Sequence, residues 1–476
     1  MMGMQEAAQA MGGELRGTDQ FFERVTTDSR QLHKGDLFVA LQGDRFDGHA
    51  FAGEALAQGA AGVVVSEPVA AHGNQILVPN TRLALGALAA HWRSRFDMPV
   101  LAVTGSNGKT TVKQMLAAIC EALGPGVATQ GNLNNDIGVP LTLLRLRDGD
   151  RWAVIEMGAN HAGEIAYLTG LARPDVALVN NAAPAHLEGF GSLADVVQAK
   201  SEIYSGLRSG GVAIVNADDA HASVFKKNAA PHRVRTFGMR NAADVSADPA
   251  SVRYHFAAEA CEIRFQLCID NQTAPIAMPL LGRHNVMNAL AASAAAHAIG
   301  SSLKAIAAGL SQVRPVEGRL QLKNGTEGLR IIDDSYNANP GSVGAAIEVL
   351  AAAQGARVLV LGDMAELGPD AASLHRQVGE AARSAGIDTL YATGELSRHS
   401  VEAFGETGRH FANCAALVDA LLQDVRGGRF ASAVVLVKGS RSSRMDAVVD
   451  ALLPNDTGRA QATNGRHRVH PVALAG

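Results

Sequence analysis

A short glycine-rich turn between a predicted strand and a predicted helix constrains this chain more than any other feature. It follows the apolar run 100–103, precedes a helix-forming segment over 112–123, and reads Gly105-Ser106-Asn107-Gly108-Lys109-Thr110-Thr111. In such a turn successive backbone N–H groups and a helix N-terminus point at one spot, which suits phosphate. The lysine can meet the β and γ phosphates, and the threonine after it can bind Mg²⁺. The G-x-x-G-K-T spacing is two residues shorter than the usual P-loop, so we expect a tighter loop that binds ATP or GTP.

Length and composition indicate a large α/β protein. A chain of 476 residues is long enough for about three domains. Its 50 glycines, 47% hydrophobic and 4% aromatic residues predict layers packed by Ala, Val and Leu and joined by tight turns. The net charge of −4 offers no broad basic face for nucleic acid, so an anionic substrate must be held by local positive groups.

Nothing in the sequence predicts export or a membrane span. The first 15 residues lack a basic start followed by an apolar core, and no apolar stretch reaches the roughly 18 residues that a span needs. The four cysteines are scattered without zinc-like spacing, and we expect them to be reduced core thiols of a cytoplasmic protein: Cys120, Cys261, Cys268 and Cys414.

Three blocks and a tail follow from the pattern of predicted elements. Residues 1–84 form a small α/β unit, 85–312 alternate strands and helices as in a parallel sheet, 313–454 repeat that order, and 455–476 read as a loose tail. The predicted strands are 36–42, 61–66, 75–78, 152–157, 176–180, 212–216, 330–333, 357–361, 389–391 and 434–437, with helices over 49–58 and 285–299 and antiparallel strands at 251–256 and 262–269. The fold class is therefore α/β, with a central P-loop domain between a small N-terminal domain and a Rossmann-like C-terminal domain with helices on both sides of its sheet.

Polar residues lie at or just past the ends of two strands of the middle block. Open parallel sheets form their ligand crevice at this edge. Glu156 ends the strand 152–157 and is expected beside the phosphate loop, where its carboxylate could bind Mg²⁺; alternatively it is a solvated loop carboxylate. His186 and Glu188 come just past the next strand. A lone histidine is more often a hydrogen-bonded structural residue, so His186 is a candidate only in combination with Glu156.

Three further motifs give the chain a specific resemblance. They read Gly131-Asn132-Leu133-Asn134-Asn135-Asp136-Ile137-Gly138-Val139-Pro140, Asp333-Asp334-Ser335-Tyr336-Asn337-Ala338-Asn339-Pro340 and Gly362-Asp363-Met364-Ala365-Glu366-Leu367-Gly368. With the phosphate loop they make residues 20–452 similar to the Mur ligase family, ATP-dependent amide-forming enzymes of peptidoglycan precursor synthesis. The three motifs resemble the member that joins D-alanyl-D-alanine to UDP-N-acetylmuramoyl-tripeptide. The Asp-Asn-Pro-Arg signature of the diaminopimelate-adding member is absent.

The resemblance implies a site for ATP and two Mg²⁺ ions in the middle block. Thr110 and Glu156 correspond to ligands of the nucleotide Mg²⁺, and His186 to a ligand of the second. Lys200 corresponds to a lysine that the family carries as a carbamate, an anion that helps to hold that metal. Without the resemblance, Lys200 would read as a surface lysine on a helix.

The remaining implied nucleotide contacts come from two places. Asn285 and Asn288 resemble asparagines on the adenine side, although Asn285 could equally cap a helix N-terminus. Arg319 resembles an arginine that reaches the phosphates from the third domain, and Asp334 a carboxylate on the ribose. The catalytic residues implied are thus Lys109, Lys200, His186 and Arg319.

Substrate contacts are implied in all three blocks. The motifs at 27–30 and 45–49 resemble the region that holds the UDP end, and 438–441 the loop near the incoming dipeptide. The substrate-binding residues implied are Ser29, Arg30, Asp47, Gly48, His49, Asn134, Asn135, Lys438 and Ser440.

Other functions remain open at this point. Another Mur-type amino acid ligase, such as the diaminopimelate- or lysine-adding enzyme, and a folate-polyglutamate-type synthetase share the loop, but the latter is not expected to carry the first block. A GTP switch would need an Asn-Lys-x-Asp motif, and the nearest candidate, at 216–219, lacks the lysine. A non-catalytic scaffold would be expected to have lost Lys109 or Glu156. The expected partners are the two substrates of a monomeric enzyme, with no nucleic acid.

Overall fold

The computed structural model describes residues 1–43, 46–183, 190–256, 261–315, 317–430 and 433–454. Their strands form three main sheets, one in each predicted block, and two pairs of short strands. Within the described ranges no helix is both long and apolar enough to cross a bilayer. The predicted α/β class is confirmed.

The N-terminal sheet has the strand order β2-β9-β8-β5-β4, antiparallel only between β2 and β9. Strands β1 to β9 are Met2–Gly3, Glu14–Arg16, Phe21–Phe22, Val25–Thr26, Leu37–Val39, Gln42–Gly43, Phe46–Asp47, Gly62–Val65 and Gln75–Leu77. The helices are Met4–Ala10 and Ala52–Ala57, with 3-10 turns at Ser29–Gln31 and Gly48–Phe51.

The predicted strand 36–42 is shorter than expected. Strand β5 ends at Val39, and Gln42 begins the hairpin of β6 and β7 instead. The chain leaves the sheet here because the N–H of Gly48 donates to the carbonyl of Leu41 at 2.8 Å, which closes the hairpin. A Cβ at Gly48 would lie 2.7 Å from that carbonyl oxygen, so the close approach requires glycine.

The central sheet contains ten strands and carries the phosphate loop. Its order is β11-β12-β10-β13-β14-β15-β16-β18-β17, with β19 also on β18. Strands β10 to β19 are Val100–Thr104, Val127–Ala128, Ala153–Glu156, Val176–Val179, Val212–Asn216, Arg233–Gly238, Val245–Ala247, Arg253–Phe256, Cys261–Ile269 and Gln272–Met278. The helices are Lys109–Cys120, Gly138–Leu143, Glu164–Ala172, Leu193–Ser201, Ala222–Asn228, Arg283–Ala298 and Leu303–Ser311, with 3-10 turns at Glu121–Leu123, Glu202–Gly206 and Pro249–Ser251. In this spatial order the strands from β11 through β10 to β16 are parallel. The predicted antiparallel patch, made of β17, β18 and β19, extends the same sheet.

The N-terminal and central sheets share one hydrophobic core. The helix Thr81–Arg93 spans the expected boundary at 84/85 and places Leu85 and Leu88, both fully buried, in the same cluster as Met4 and Val100. The first block is therefore packed continuously against the nucleotide-binding domain.

The third sheet has the order β20-β21-β25-β22-β23-β24 and is parallel except for β20. Strands β20 to β25 are Gln321–Asn324, Arg330–Asp334, Arg357–Leu361, Thr389–Thr393, Gly408–Phe411 and Val434–Lys438. The helices are Pro340–Ala351, Ala371–Ser384, Arg398–Phe404, Cys414–Arg426 and Asp446–Leu452, with 3-10 turns at Thr326–Gly328, Gly368–Asp370 and Arg441–Ser443. Separate apolar clusters on the two faces of the sheet confirm helices on both sides.

Two expectations need correction. The sequence did not predict β20 and β24, because these edge strands have one neighbour each and carry no apolar run.

All four cysteines are free, but only Cys120 is fully buried, so the prediction of core thiols is wrong for the other three. Two of those, Cys261 and Cys268, lie in β18, which is only partly covered on each face at their positions.

The phosphate-loop helix Lys109–Cys120 is held by a close backbone approach. A Cβ at Gly309, on the helix Leu303–Ser311, would lie 2.5 Å from the Cα of Ile119. Since the obstacle is backbone, neither helix can relieve it by a side-chain rotation.

We therefore expect Gly309→Ala to force the two helices apart and to destabilise the protein by about 1–3 kcal/mol, as overpacking does. The measurement is the urea midpoint of unfolding. The matched control is Gly170→Ala, at an exposed position of the helix Glu164–Ala172, where no atom lies within 4 Å of the added Cβ. The control should be neutral or stabilising by up to about 1 kcal/mol. A wild-type midpoint for Gly309→Ala would contradict the packing argument.

Candidate functional site

The phosphate loop lies at the carboxyl end of β10, an interior strand of the central sheet. This strand is fully buried between β12 and β13. Gly105 and Gly108 have φ of 153° and 79°, values that L side chains rarely adopt. A Cβ at Gly108 would also lie 2.4 Å from Oδ1 of Asn288. The strand, turn and helix order predicted from sequence is confirmed, and the turn depends on both glycines.

Neighbouring asparagines hold the loop in place. The N–H of Ser106 donates to the carbonyl of Asn181 at 3.0 Å, and the N–H of Asn107 donates to Oδ1 of the same residue at 2.9 Å. Nδ2 of Asn180 donates to the carbonyl of Asn107 at 2.9 Å. These contacts come from the end of β13, the next strand in the sheet, and make the loop a preformed cradle.

Lys109 begins the helix after the loop and turns its ammonium back over it. Nζ donates to the carbonyl of Gly105 at 2.7 Å. Burial lowers the pKa of Lys109; the Glu156 carboxylate opposes that shift, and the Arg319 guanidinium adds to it. The negative charge of a bound phosphate would therefore stabilise the buried ammonium of Lys109.

Glu156 ends β12 beside this loop, as predicted. It is 2% exposed, and its Oε1 accepts hydrogen bonds from Thr110 Oγ1 at 3.3 Å and Asn134 Nδ2 at 2.9 Å. The alternative of a solvated loop carboxylate is therefore excluded. Nζ of Lys113 lies 3.3 Å from Oε2 and donates to the carbonyl of Gly131.

Sequence reasoning did not identify Lys113 as part of the site. It is 4% exposed and lies four residues after Lys109 on the same helix. That spacing places both side chains on one helix face, a signal that was available in the sequence.

The residues present fit a Mg²⁺ ion that also contacts nucleotide phosphates. Among the described residues, no three of His, Cys, Asp or Glu come close enough to hold a metal by themselves. Mg²⁺ commonly takes one or two protein oxygens and completes its shell with waters and phosphates. Glu156 offers Oε2, which lies 3.3 Å from Lys113 Nζ but accepts no hydrogen bond within the described residues, and Thr110 offers its hydroxyl. His186 and Glu188 lie outside the described residues.

Lys200 lies near the end of the helix Leu193–Ser201 and faces inward. It is 4% exposed, so the alternative of a surface lysine is wrong. Burial, with a smaller contribution from the charge of Lys109, lowers the pKa of Lys200 to about 7. A lysine in this position is largely an uncharged amine at slightly alkaline pH.

Asn285 and Asn288 lie in the helix Arg283–Ala298 and are both buried. Nδ2 of Asn180 donates to Asn288 Oδ1 at 2.8 Å, and Nδ2 of Asn288 donates to Asn285 Oδ1 at 2.9 Å. Asn285 Nδ2 in turn donates to the carbonyl of Leu281. Gly282 is the N-cap, so Asn285 is not a capping residue and instead belongs to a hydrogen-bonded chain that reaches the phosphate loop.

The third domain contacts the same loop. Nδ2 of Asn339 donates to Oδ1 of Asn107 at 2.8 Å. The guanidinium of Arg319 stacks on the ring of Tyr336, with its carbon 4.5 Å from the ring centre. Nε of Arg319 is buried without a hydrogen-bond partner among the described residues, so this cation can still accept an anionic ligand.

Asp334 and Lys438, predicted for different ligands, form one buried ion pair. Lys438 Nζ lies 2.6 Å from Asp334 Oδ2. Burial raises the pKa of Asp334, and the Lys438 ammonium opposes that rise. Ser440 is close by, where its Oγ accepts from the N–H of Ala365 at 2.7 Å.

Five of the expected substrate residues lie in two turns of the N-terminal domain. Asp28 caps the 3-10 turn Ser29–Gln31, and Arg30 Nη2 donates to it at 2.8 Å. Asp47 accepts from the N–H of His49, and the ring nitrogen Nδ1 of His49 lies 2.6 Å from the same carboxylate. Within the described ranges none of these side chains hydrogen bonds to the phosphate loop.

The two asparagines of the 131–140 motif have different surroundings. Asn134 contacts the Glu156 carboxylate, which places it on the nucleotide side. Asn135 Oδ1 accepts from the N–H of Gly138 at 2.9 Å, at the start of the helix Gly138–Leu143. Their expected contacts with the substrate stay predictions.

Comparison with known proteins agrees with this geometry. The Mur ligase family catalytic domain matches residues 22–93, the Mur ligase middle domain 103–296, and the Mur ligase glutamate ligase domain 318–441. The chain is 48% identical, over 94% of its length and 97% of the relative, to the UDP-N-acetylmuramoyl-tripeptide--D-alanyl-D-alanine ligase of Escherichia coli (strain K12).

Solved structures are similar over the same span. A crystal structure of MurF from Acinetobacter baumannii superposes with a TM-score of 0.89 at 37% identity, covering 95% of this chain and 98% of that chain. MurF ligase from Thermotoga maritima, solved in complex with ADP, gives a TM-score of 0.80 at 26% identity, covering 90% and 97%. The chain belongs to the Mur ligase family.

Proposed function

We propose that the protein is an ATP-dependent ligase that joins D-alanyl-D-alanine to UDP-N-acetylmuramoyl-tripeptide in the synthesis of peptidoglycan precursors. The observation that carries the proposal is the contact of Asn339, in the third domain, with Asn107 of the phosphate loop. It brings the motifs typical of this dipeptide-adding member to the nucleotide site. Similarity to ligases of this name over nearly the whole chain supports the same substrate pair.

The three domains divide the substrates among them. Residues 1–84 hold the UDP end, 85–312 hold ATP, and 313–454 hold the dipeptide. The enzyme acts in the cytoplasm as a monomer.

In the first step the terminal carboxylate of the tripeptide attacks the γ phosphorus of ATP, forming an acyl phosphate and releasing ADP. The carboxylate is already ionised at neutral pH, so this step requires no general base. It requires positive charge that offsets the repulsion between two anions, the carboxylate and the γ phosphate. Lys109 and Arg319 provide positive charge from two domains, and Mg²⁺ bound by Thr110 and Glu156 would neutralise phosphate oxygens.

In the second step the amine of D-alanyl-D-alanine attacks the acyl carbon, and the tetrahedral intermediate collapses to the amide with loss of phosphate and a proton. The acyl phosphate is prone to hydrolysis, so water must be excluded while it exists. The third domain, in contact with the loop through Asn339, covers the nucleotide site and brings Arg319 to it.

Lys200 acts as a carbamate. Its neutral amine attacks CO₂, forming a carbon–nitrogen bond and releasing one proton, and the product is an anion with two oxygen ligands. Burial favours the neutral amine, because it brings the pKa of Lys200 down to about 7. Together with His186, the carbamate oxygens would hold a second Mg²⁺.

A function as a GTP switch is less well supported than a function as a ligase. Asp218, in the segment nearest to a guanine motif, accepts hydrogen bonds from the backbone N–H groups of Met239, Arg240 and Asn241. Its carboxylate is therefore committed to holding a turn and is not presented to a base. A different Mur-type acceptor remains the alternative, and the acceptor experiment below distinguishes it.

Lys109→Ala should reduce turnover by about 10²–10³-fold with the fold intact, by analogy with the loss of one oxyanion donor. The lysine compensates charge in the transition state and packs against no core. Lys304→Ala, an exposed lysine on a neighbouring helix, is the control and should keep wild-type turnover. The measurement is ADP release under saturating substrates, and a rate within a few-fold of wild type would remove Lys109 from the mechanism.

Lys200→Ala should be nearly inactive and should regain activity with added short carboxylates that fill the gap. The reason is that only an anionic oxygen at this position binds Mg²⁺. Lys227→Ala, on an exposed part of the helix Ala222–Asn228, is the control and should neither lose activity nor respond to carboxylates. Failure of rescue, together with a free ammonium at Lys200 in a high-resolution map, would refute the carbamate.

Transfer of ¹⁸O from the tripeptide carboxylate into released phosphate should occur, because that oxygen bridges carbon and phosphorus in the acyl phosphate. Binding should be ordered, with ATP first, the UDP-tripeptide second and the dipeptide last. Unlabelled phosphate would exclude the acyl phosphate. Amide formation with a muramyl dipeptide but not with the tripeptide would move the protein to another ligase of the family.

A further inference from the structure

Three loops at the carboxyl edge of the third sheet are hydrogen bonded to one another. They follow β21, β25 and β22 and comprise residues 335–339, 439–443 and 362–367. The N–H of Gly362 donates to the carbonyl of Lys438 at 2.8 Å, and the N–H of Ser440 donates to the carbonyl of Asp363 at 2.9 Å. Ala365 N–H donates to Ser440 Oγ at 2.7 Å. The position of the 439–443 loop therefore depends on the 362–367 loop.

The 439–443 loop is in turn bonded to the first loop. Nζ of Lys438, at the end of β25, donates to the carbonyl of Asn337 at 2.9 Å, and Ser440 Oγ donates to the carbonyl of Ala338 at 3.3 Å. Any shift of the 362–367 loop would thus be transmitted to both other loops.

The conformation of the 362–367 loop is itself costly. Glu366 has a φ of 60°, in the left-handed region that non-glycine residues seldom occupy. Such a backbone persists only when its surroundings fix it.

His375 supplies the contact behind this loop. It lies on the helix Ala371–Ser384 with 0% of its surface exposed. Its Nε2 accepts from the N–H of Met364 at 3.0 Å, and its Nδ1 lies 2.8 Å from the carbonyl of Ala371. An N–H can only donate and a carbonyl can only accept, so the ring is neutral and carries its proton on Nδ1. Burial, which lowers the pKa of His375, favours the same state.

We propose that His375 is a positioning residue for the amine substrate: it fixes the 362–367 loop and, through it, Ser440 and Lys438. The inference rests on the proposed function, in which the dipeptide binds beside residues 438–441. Met364 lies between Asp363 and Ala365, the two residues that hold the 439–443 loop. The histidine is therefore bonded to the loop at its centre.

The requirement is for a hydrogen-bond acceptor and not for bulk alone. An apolar side chain of similar size would fill the space but leave the N–H of Met364 buried without a partner. The test therefore compares His375→Leu, which fills space only, with His375→Gln, whose amide oxygen can accept from Met364. Ser400→Ala is the matched control, because Ser400 Oγ donates to the carbonyl of His375 and bonds to neither loop.

Steady-state kinetics and amide hydrogen exchange would be measured on the full-length enzyme. In His375→Leu we expect the KM for D-alanyl-D-alanine to rise about tenfold, as the loss of one buried hydrogen bond allows, while KM for ATP, KM for UDP-tripeptide and the Kd of ADP stay near wild type. Exchange should accelerate in residues 362–367. In His375→Gln the KM for D-alanyl-D-alanine should return most of the way to the wild-type value. Ser400→Ala should alter global stability without a selective change in that KM.

Equal changes in all three KM values, identical behaviour of His375→Leu and Ser400→Ala, or unchanged exchange in the 362–367 loop would overturn the proposal. A wild-type enzyme that ligates another amino acid instead of D-alanyl-D-alanine would refute the proposed function. The exchange result would then still decide whether His375 fixes the loop.

Discussion

Asn339 of the third domain donates a hydrogen bond to Asn107 of the phosphate loop, and this contact links the carboxyl edges of two largely parallel sheets. In each sheet the polar residues of the site lie at the last positions of buried strands or in the loops that follow them. A ligase that phosphorylates one substrate and then joins it to another needs both sets of loops at one place. The contact brings the phosphate loop of one domain to the 335–339 loop of the other.

The sequence was sufficient to predict the strand, turn and helix of the phosphate loop and the carboxylate beside it. Glycines at 105 and 108, a lysine at the helix start and a carboxylate at the end of the next strand each follow from local rules of strand, turn and helix. The parallel sheets were predictable for the same reason, because their buried strands are continuous apolar runs. Edge strands β20 and β24 lack such runs and were missed.

Contacts between distant segments could not be predicted in the same way. The spacing of Lys113 from Lys109 indicates their shared helix face, but only the structure shows that Lys113 pairs with Glu156. Asp334 and Lys438 are 104 positions apart and appeared as separate ligand contacts, yet they form one ion pair. His375 gave no signal at all, because its role depends on a backbone N–H. Tertiary pairing determines these roles, and a single sequence does not contain it.

The frame of the phosphate loop is made of the carboxamides of Asn180, Asn181 and Asn288, which hydrogen bond to the backbone of Asn107 and to one another. These groups are neutral and do not titrate, so the bonds between them are not ion pairs that salt would screen. The attraction between ATP and the lysines is between charges and falls as ionic strength rises. High salt therefore weakens the capture of the nucleotide without loosening the frame that receives it.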